Sequence, residues 1–446
     1  MPVLFTGVFM AALDTAVIAP ALPVLRETFG LDHRASGLVM TVFILFSLSS
    51  TALMANLGDR HGRRPVYLAS VALFALGSLV IALSADFTTL LVGRAIQGIG
   101  GGGIIPLASA VIGDALPPHR RGRALGLIGA TYGMAFVLGP PLAAAVMLVA
   151  SWQWIFLANL PIAAVVLALG WRALPSQRRT GALPRLDWPG IVIVFVGLAA
   201  LVLGVTRVAD GLLGLHLWPW MLALAAALLP LLVGVERRAA LPMIPLSLFA
   251  NRQLRTTYLL TAGAGFGMGS VIFLASLATL AHGVTREHGG FVLLPLVLGS
   301  MVGSAGAGRA LNRLGARAIV LAGFAALMLG YAGVALPGLG LAGFLWATVP
   351  AGLGLGIVVG GALRTIAIDE ASLAQRGAAQ GLVNIFTSIG TLLSATVIGA
   401  LADLGGGGAV GLAVAYAVVA AVMLAMALLA LTLRGQGAAH VAAHAA

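Results

Sequence analysis

The chain is a succession of apolar runs, each long enough to cross a bilayer, separated by short polar turns. A helix rises about 1.5 Å per residue, so roughly 20 apolar residues span the hydrocarbon layer. Fourteen stretches meet that length: 2–22, 36–57, 65–83, 88–112, 122–147, 152–171, 188–207, 217–235, 256–280, 289–308, 317–336, 340–362, 376–402 and 409–433. In lipid, backbone polar groups must be bonded within the protein, so runs of this length are helices rather than loops. Only 9% of the 446 residues are charged, against about a quarter in soluble domains. A soluble fold of this size would lack the polar surface to cover its core. The expected fold is all-α and integral to the membrane, with fourteen transmembrane helices. The first stretch is expected to be a span that runs into a turn, not a cleaved signal. Sixty glycines suit close helix packing in lipid. The absence of cysteine excludes disulfides and thiolate metal sites.

Arginine orients these spans. All 25 basic residues are Arg. With fourteen spans, twenty of them fall in loops and a tail on one side, four (Arg26, Arg34, Arg207 and Arg286) fall on the other, and Arg94 lies within a span. Such an excess marks the cytoplasmic side. Both termini are therefore expected in the cytoplasm, in a bacterial-type inner membrane. The net charge of +12 reads as loop charge facing an anionic leaflet, with no nucleic-acid partner.

A repeat divides the chain. Leu57-Gly58-Asp59-Arg60-His61-Gly62-Arg63-Arg64 recurs loosely as Ala310-Leu311-Asn312-Arg313-Leu314-Gly315-Ala316-Arg317, and Arg121-Gly122-Arg123-Ala124-Leu125-Gly126 recurs as Arg376-Gly377-Ala378-Ala379-Gln380-Gly381. Two matches at nearly one offset point to duplicated six-helix halves, an arrangement that suits transporters whose halves rock about a central site. The expected domains are a bundle at 1–172, linkers with two inserted helices at 173–250, and a bundle with a short tail at 251–446. Within the second linker, Ile244 to Phe249 reads as an amphipathic interfacial connector.

Two charges inside spans carry the functional reading. Ionised groups in hydrocarbon are costly and usually functional. Asp14 lies roughly 11–13 Å, and Arg94 about 9 Å, from the same outer face by helix rise. An apolar setting favours the neutral acid and a nearby Arg the carboxylate, so approach and retreat of Arg94 would switch Asp14. The bland alternative for Arg94 is snorkelling toward the interface. The other acids considered, Asp210, Glu287 and Asp403, fall at span ends or in loops, which argues against strongly dicationic cargo. Gly100-Gly101-Gly102-Gly103 lies in an apolar span with no following Lys, so it is not a phosphate loop. Histidines lack ligand spacing and no nucleophile–base set is evident, so no enzyme is expected.

Several stretches resemble the major facilitator superfamily. Asn56 to Pro65 resembles its loop between helices 2 and 3, with Ala55 where Gly is usual. Gly93-Arg94-Ala95-Ile96-Gln97-Gly98-Ile99-Gly100 resembles its helix-4 motif. Gly129 to Gly133 with Leu138-Gly139-Pro140-Pro141 resembles its antiporter helix, although Ala143-Ala144 replaces a Gly pair. Leu13-Asp14-Thr15, Trp152 to Phe156 with Asn159-Leu160-Pro161, Asp187-Trp188 and Pro245 to Phe249 resemble the fourteen-helix drug:proton antiporter branch.

The resemblance implies a proton-coupled antiporter exporting small hydrophobic or amphipathic compounds by alternating access. A lipid or lipid-precursor exporter on the same fold is the alternative. Asp14 and Arg94 would couple protons. Gly58, Asp59, Arg60, Gly62, Arg63 and Arg64 would form a conformational latch, or merely a topology anchor. Gly129, Gly133, Gly139 and Pro140 would seal a helix against proton leak, or serve plain packing. Gln97, Tyr132, Phe266, Phe273, Thr279 and Asn384 are candidates for the substrate cavity. No cofactor beyond the proton gradient and no metal is expected. The partners are substrate, protons and the bilayer, and the chain is expected to act as a monomer.

Overall fold

Helices occupy the apolar runs. The computed structural model describes residues 2–115, 118–174, 188–206, 216–239, 246–285, 288–336, 338–371 and 376–434, leaving out some side chains within these ranges, Asp59 and Tyr132 among them. The helices are α1 Pro2–Phe29, α2 His33–His61, α3 Arg63–Ala82, α4 Phe87–Ala115, α5 Pro118–Val149, α6 Gln153–Leu157, α7 Asn159–Ala173, α8 Trp188–Thr206 and α9 Trp218–Glu236. They continue as α10 Arg252–Ser270, α11 Leu274–His282, α12 Leu294–Val334, α13 Gly340–Ile357, α14 Leu363–Glu370, α15 Arg376–Leu404 and α16 Ala409–Ala430. Among the described residues there is no strand. Twelve helical stretches are long and apolar enough to cross a membrane, and they coincide with twelve of the fourteen expected runs. Within 122–147 and 289–308 the described apolar stretches are shorter, Leu138–Val149 and Phe291–Ala307.

The chain divides into two units, Met1–Leu31 with Ala35–Met243, and Asp32–Arg34 with Ile244–Ala446. In the first unit α3 packs along α4, α1 packs along α5 and α7, and α8 pairs with α9. Phe195 of α8 meets Phe46 of α2 edge-on at 5.1 Å. Span α9 is uncovered along its apolar length, as a helix facing lipid is free to be. In the second unit α12 packs along α13 and α10 along α15.

Glycine sets how closely these pairs approach, and the repeat is visible in the seams. A Cβ on Gly77 would lie 2.5 Å from the Gln97 backbone nitrogen, and one on Gly100 2.5 Å from the Phe74 nitrogen and the Ser70 carbonyl oxygen. In the second unit Gly330 abuts the Ala351 nitrogen, and a Cβ on Gly354 would lie 2.5 Å from the Gly323 oxygen and 2.7 Å from the Leu327 nitrogen. These pairs stand at the offset read from the sequence. The reversal joining α2 to α3 depends on Gly62, with φ 96°, and its counterpart Gly315, with φ 76°, breaks α12 at the same place. A left-handed backbone favours Gly at both. Gly58, expected in the latch, is helical and lies against Leu107 of α4.

Two further expectations are corrected. The first span does not end in a turn after residue 22; α1 continues through Pro20 and Pro23 to Phe29. Each proline lacks an N–H and so releases one carbonyl of the preceding turn without ending the helix. Of the piece read as an interfacial connector, the described residues 246–249 pack within the second unit, and 244–245 lie outside the described residues. Leu248 is buried with Leu254, Tyr258, Ala367, Leu382 and Val383, and Phe249 packs against that cluster. Its apolar face serves a core, and periodicity alone does not distinguish a core from a membrane surface.

Candidate functional site

The site is centred on α4. On one face Gly93 and Gly100 of α4, with Gly77 of α3, let the two helices touch through backbone atoms. On another face, a Cβ on Gly98 would lie 2.6 Å from the Phe43 carbonyl oxygen, and Gly102 abuts Ser47 and Ser50 of α2. α4 therefore sits hard against two neighbours. At its N-terminal end Asp86 caps it: the carboxylate accepts from the Thr89 N–H at 2.8 Å and the Thr89 hydroxyl at 2.7 Å. These bonds hold Asp86 below the usual carboxylate range.

Two turns further in, Arg94 Nη1 donates to Asp14 Oδ2 at 2.7 Å, and both side chains are completely buried. Its Nε donates to the Val39 carbonyl at 3.0 Å, and the guanidinium lies over the Phe43 ring at 4.5 Å, a cation–π contact. Gln97, one turn along α4, accepts from Arg94 Nη1 at 2.6 Å through Oε1 and donates to Asp14 Oδ1 at 2.8 Å through Nε2. Asn159 at the start of α7 donates to the same Oδ1 at 2.9 Å. Both amides also donate to Ser78 Oγ of α3, Gln97 at 2.8 Å and Asn159 at 3.2 Å. Five side chains from α1, α3, α4 and α7 thus form one buried polar cluster. Asn159 follows a break between α6 and α7, which Pro161 accounts for: lacking an N–H, it cannot donate to the Leu157 carbonyl in the helix ladder.

Energetics separate this cluster from a stabilising device. Taking both ions from water costs several kcal/mol each, and replacing a buried pair by apolar groups is often neutral or stabilising. A paired charge in hydrocarbon is therefore better explained by what it does than by what it holds together.

The second unit shows the same frame without charge. At the repeat offset, Asp14 corresponds to Gly267, Arg94 to Thr348, Gln97 to Ala351 and Ser78 to Tyr331. There the Tyr331 hydroxyl donates to the Gly267 carbonyl. The Tyr416 hydroxyl donates to the Ser270 carbonyl at 2.6 Å, and the two rings stack at 5.9 Å. In this part of the second unit phenol hydroxyls cap backbone carbonyls.

The remaining predicted residues are scattered. Gln97, expected on the substrate cavity, belongs to the Asp14 cluster instead and is fully buried. Phe273, expected on the same cavity, is also completely buried, with its ring 6.2 Å from that of His33. Thr279 returns its hydroxyl to the Ala275 carbonyl at 3.0 Å, Phe266 is half-buried, and Asn384 accepts from Arg364 at 2.9 Å. The Tyr132, Gly129 and Gly133 positions lie outside the described side chains. Gly139 abuts Ala16 of α1 at 2.5 Å from its notional Cβ, beside the buried Pro140. In the 58–64 loop, Arg63 donates to the Ala110 carbonyl, and Arg64 reaches the Leu174 carbonyl at 3.5 Å and lies over Trp171 at 5.0 Å. Arg60 is exposed, and the side chain of Asp59 is outside the described residues.

Repeated helical halves, with twelve membrane-length helices and a buried ion pair among the described residues, are the build of a multi-pass membrane transporter. The model of the Major Facilitator Superfamily matches residues 4–374, and the chain belongs to that superfamily. It is 34% identical over 409 residues to the uncharacterized MFS-type transporter YfiU of Bacillus subtilis (strain 168), covering 88% of this chain and 78% of that protein. It is 27% identical over 407 residues to the multidrug transporter protein MdtP of the same organism, covering 89% and 74%. The crystal structure of the nucleoside transporter NupG matches with a TM-score of 0.68 at 13% identity, over 97% of this chain and 98% of that one. That likeness concerns the fold.

Proposed function

We propose that this transporter is a proton-coupled antiporter that exports small hydrophobic or amphipathic compounds, and that it belongs to the fourteen-helix drug:proton branch. The observation that carries the reading is the Asp14–Arg94 pair, 2.7 Å apart with both side chains excluded from solvent. A carboxylate there binds or releases a proton according to whether Arg94 stays beside it, which links proton occupancy to helix position. Supporting the choice of cargo, relatives are named as multidrug transporters. In this reading the termini face the cytoplasm across a bacterial inner membrane, protons enter from outside through Asp14, and the 58–64 loop helps hold one conformational state.

The test is transport by reconstituted protein, with ethidium and a fluorescent phosphatidylcholine as probes, with and without an imposed pH gradient. The wild type is expected to move ethidium against its gradient only when the pH gradient is present. Asp14→Asn is expected to lose that gradient-driven transport by about a hundredfold, the lower end of the range for removing a proton-transfer group. Undiminished gradient-driven transport by the variant sinks the coupling role. Movement of the phospholipid but not the dye sinks the choice of cargo.

A further inference from the structure

The cluster around Asp14 contains a part that can turn over. Three donors meet the carboxylate: Arg94 Nη1 on Oδ2, and Gln97 Nε2 and Asn159 Nδ2 on Oδ1. None of these atoms can accept a hydrogen bond, so the arrangement fits the ionised carboxylate and offers an acid proton no acceptor. Gln97 cannot reverse its amide, because its Oε1 already accepts from Arg94 at 2.6 Å; reversal would set N–H against N–H. Asn159 has no bond to Arg94. Its amide is the one donor on Oδ1 that can rotate and present its own oxygen to a protonated Asp14.

Ser78 opposes that rotation. Its hydroxyl donates to the Phe74 carbonyl at 3.0 Å, so toward the amides its oxygen acts as an acceptor, and it receives both Nε2 of Gln97 and Nδ2 of Asn159. If Asn159 turned, its oxygen would face the Ser78 oxygen until that hydroxyl left Phe74. Ser78 thus fixes which way the Asn159 amide points.

We infer that Asn159, oriented by Ser78, is a positioning residue that senses the protonation of Asp14 and conveys it to α7. With Asp14 ionised, the Asn159 N–H faces it. A proton from the aqueous phase adds to Asp14 Oδ1, the Asn159 amide turns so that its oxygen accepts that O–H, and the Ser78 hydroxyl swings to follow. The turn gives up the Asn159 N–H bonds to Asp14 and Ser78 and the Ser78 bond to the Phe74 carbonyl; the new O–H on Asp14 is the one covalent change. Other groups charged at neutral pH do not crowd this level: among the sequences of α1, α2, α3, α4, α5 and α7, the Asp, Glu, His and Arg residues apart from Asp14 and Arg94 lie toward the helix ends, and Tyr67 and Tyr132 are the phenols. The inference rests on the proton-coupled reading.

Its test reads the proton directly and needs no cargo. Purified protein is titrated while the infrared C=O stretch of protonated carboxylic acid is followed, and the component absent from Asp14→Asn is assigned to Asp14. Asn159→Ala removes one of the three donors to the carboxylate. The midpoint of the Asp14 component is expected to move to higher pH by about one unit, the scale of one hydrogen bond to a charged group. Ser78→Ala is expected to move it the same way by less, and Ser78→Thr, which keeps the hydroxyl, to restore it. A merely structural role would change the melting temperature and leave the midpoint in place. Wild-type midpoints in both Asn159→Ala and Ser78→Ala overturn the inference. Should Asn159→Ala fail to fold, the contrast of Ser78→Ala with Ser78→Thr decides alone. If no component depends on Asp14 at any pH, it is the proton-coupled reading that fails.

Discussion

Arg94→Gln is expected to destabilise the protein by roughly 3 kcal/mol or more, because it leaves a buried carboxylate without its counter-charge. Asp14→Asn leaves the guanidinium in the same position. The double variant Asp14→Asn/Arg94→Gln removes both charges and keeps hydrogen-bonding groups at both sites, so it is expected to melt above either single variant. The reasoning is the asymmetry of buried ion pairs: breaking one is expensive, whereas neutralising both is often neutral or stabilising. Arg94 makes the larger contribution, because it also bonds the Val39 carbonyl and lies over Phe43. Thermal unfolding of the four proteins in one detergent gives the coupling directly. Additive losses, with the double variant melting lowest, would falsify the view that the two charges exist for each other. The double variant should also have lost gradient-driven transport despite its stability, which separates the folding role of the pair from its proposed working one.

What the sequence reveals here follows from what is costly. A charge inside a run of hydrocarbon is conspicuous whatever surrounds it, so Asp14 and Arg94 stand out from composition alone, and helix rise places them at similar depth. The structure brings them to 2.7 Å. Neutral polar residues carry no such signal. Many hydroxyls in these helices simply bond the carbonyl four residues back, as Thr15, Ser70, Thr257, Thr261 and Thr387 do. Nothing local distinguishes them from Ser78, which does the same and also accepts two amides. A signal was nonetheless available. Asn159 lies about 10 Å inside the outer end of its predicted run, and Ser78 about 8 Å inside that of its own, by the same helix rise that pairs Asp14 with Arg94. Gln97 is three residues from Arg94 and so shares its helix face. Depth and face together would have assembled the cluster.

The second unit is harder to read. Its spans hold few polar residues, so residue type alone gives little guide to which side chains line a cavity. Phe273 is completely buried in packing. The repeat is the better guide. The glycine seams recur in both units, while the position matching Asp14 is Gly267, whose carbonyl accepts from the Tyr331 hydroxyl. The proposed coupling is therefore asymmetric: the first unit senses the proton, and whatever the second unit contributes, it contributes through helix packing and cargo contacts.

That asymmetry predicts how the two units respond to the same damage. Gly100→Val and Gly354→Val are equivalent substitutions at the α3–α4 and α12–α13 seams. In each the added Cβ would meet backbone atoms at about 2.5 Å, and backbone cannot move aside as a side-chain tip can. Each is expected to cost about 3 kcal/mol, the upper part of the usual range for overpacking, and to reduce the yield of monodisperse protein sharply. Gly306→Ala, where an added Cβ meets nothing within 4 Å, should be neutral or slightly stabilising, since Ala favours helix over Gly. The two damaging variants should differ in one respect. Gly100→Val pushes α3 from α4 and so parts Ser78 from Gln97, so in whatever fraction folds, the infrared midpoint of Asp14 should shift. Gly354→Val disturbs a seam with no acid beside it and should leave that midpoint unchanged. Equal midpoints in the two variants would mean that the polar cluster does not depend on the glycine seam that brings its helices together.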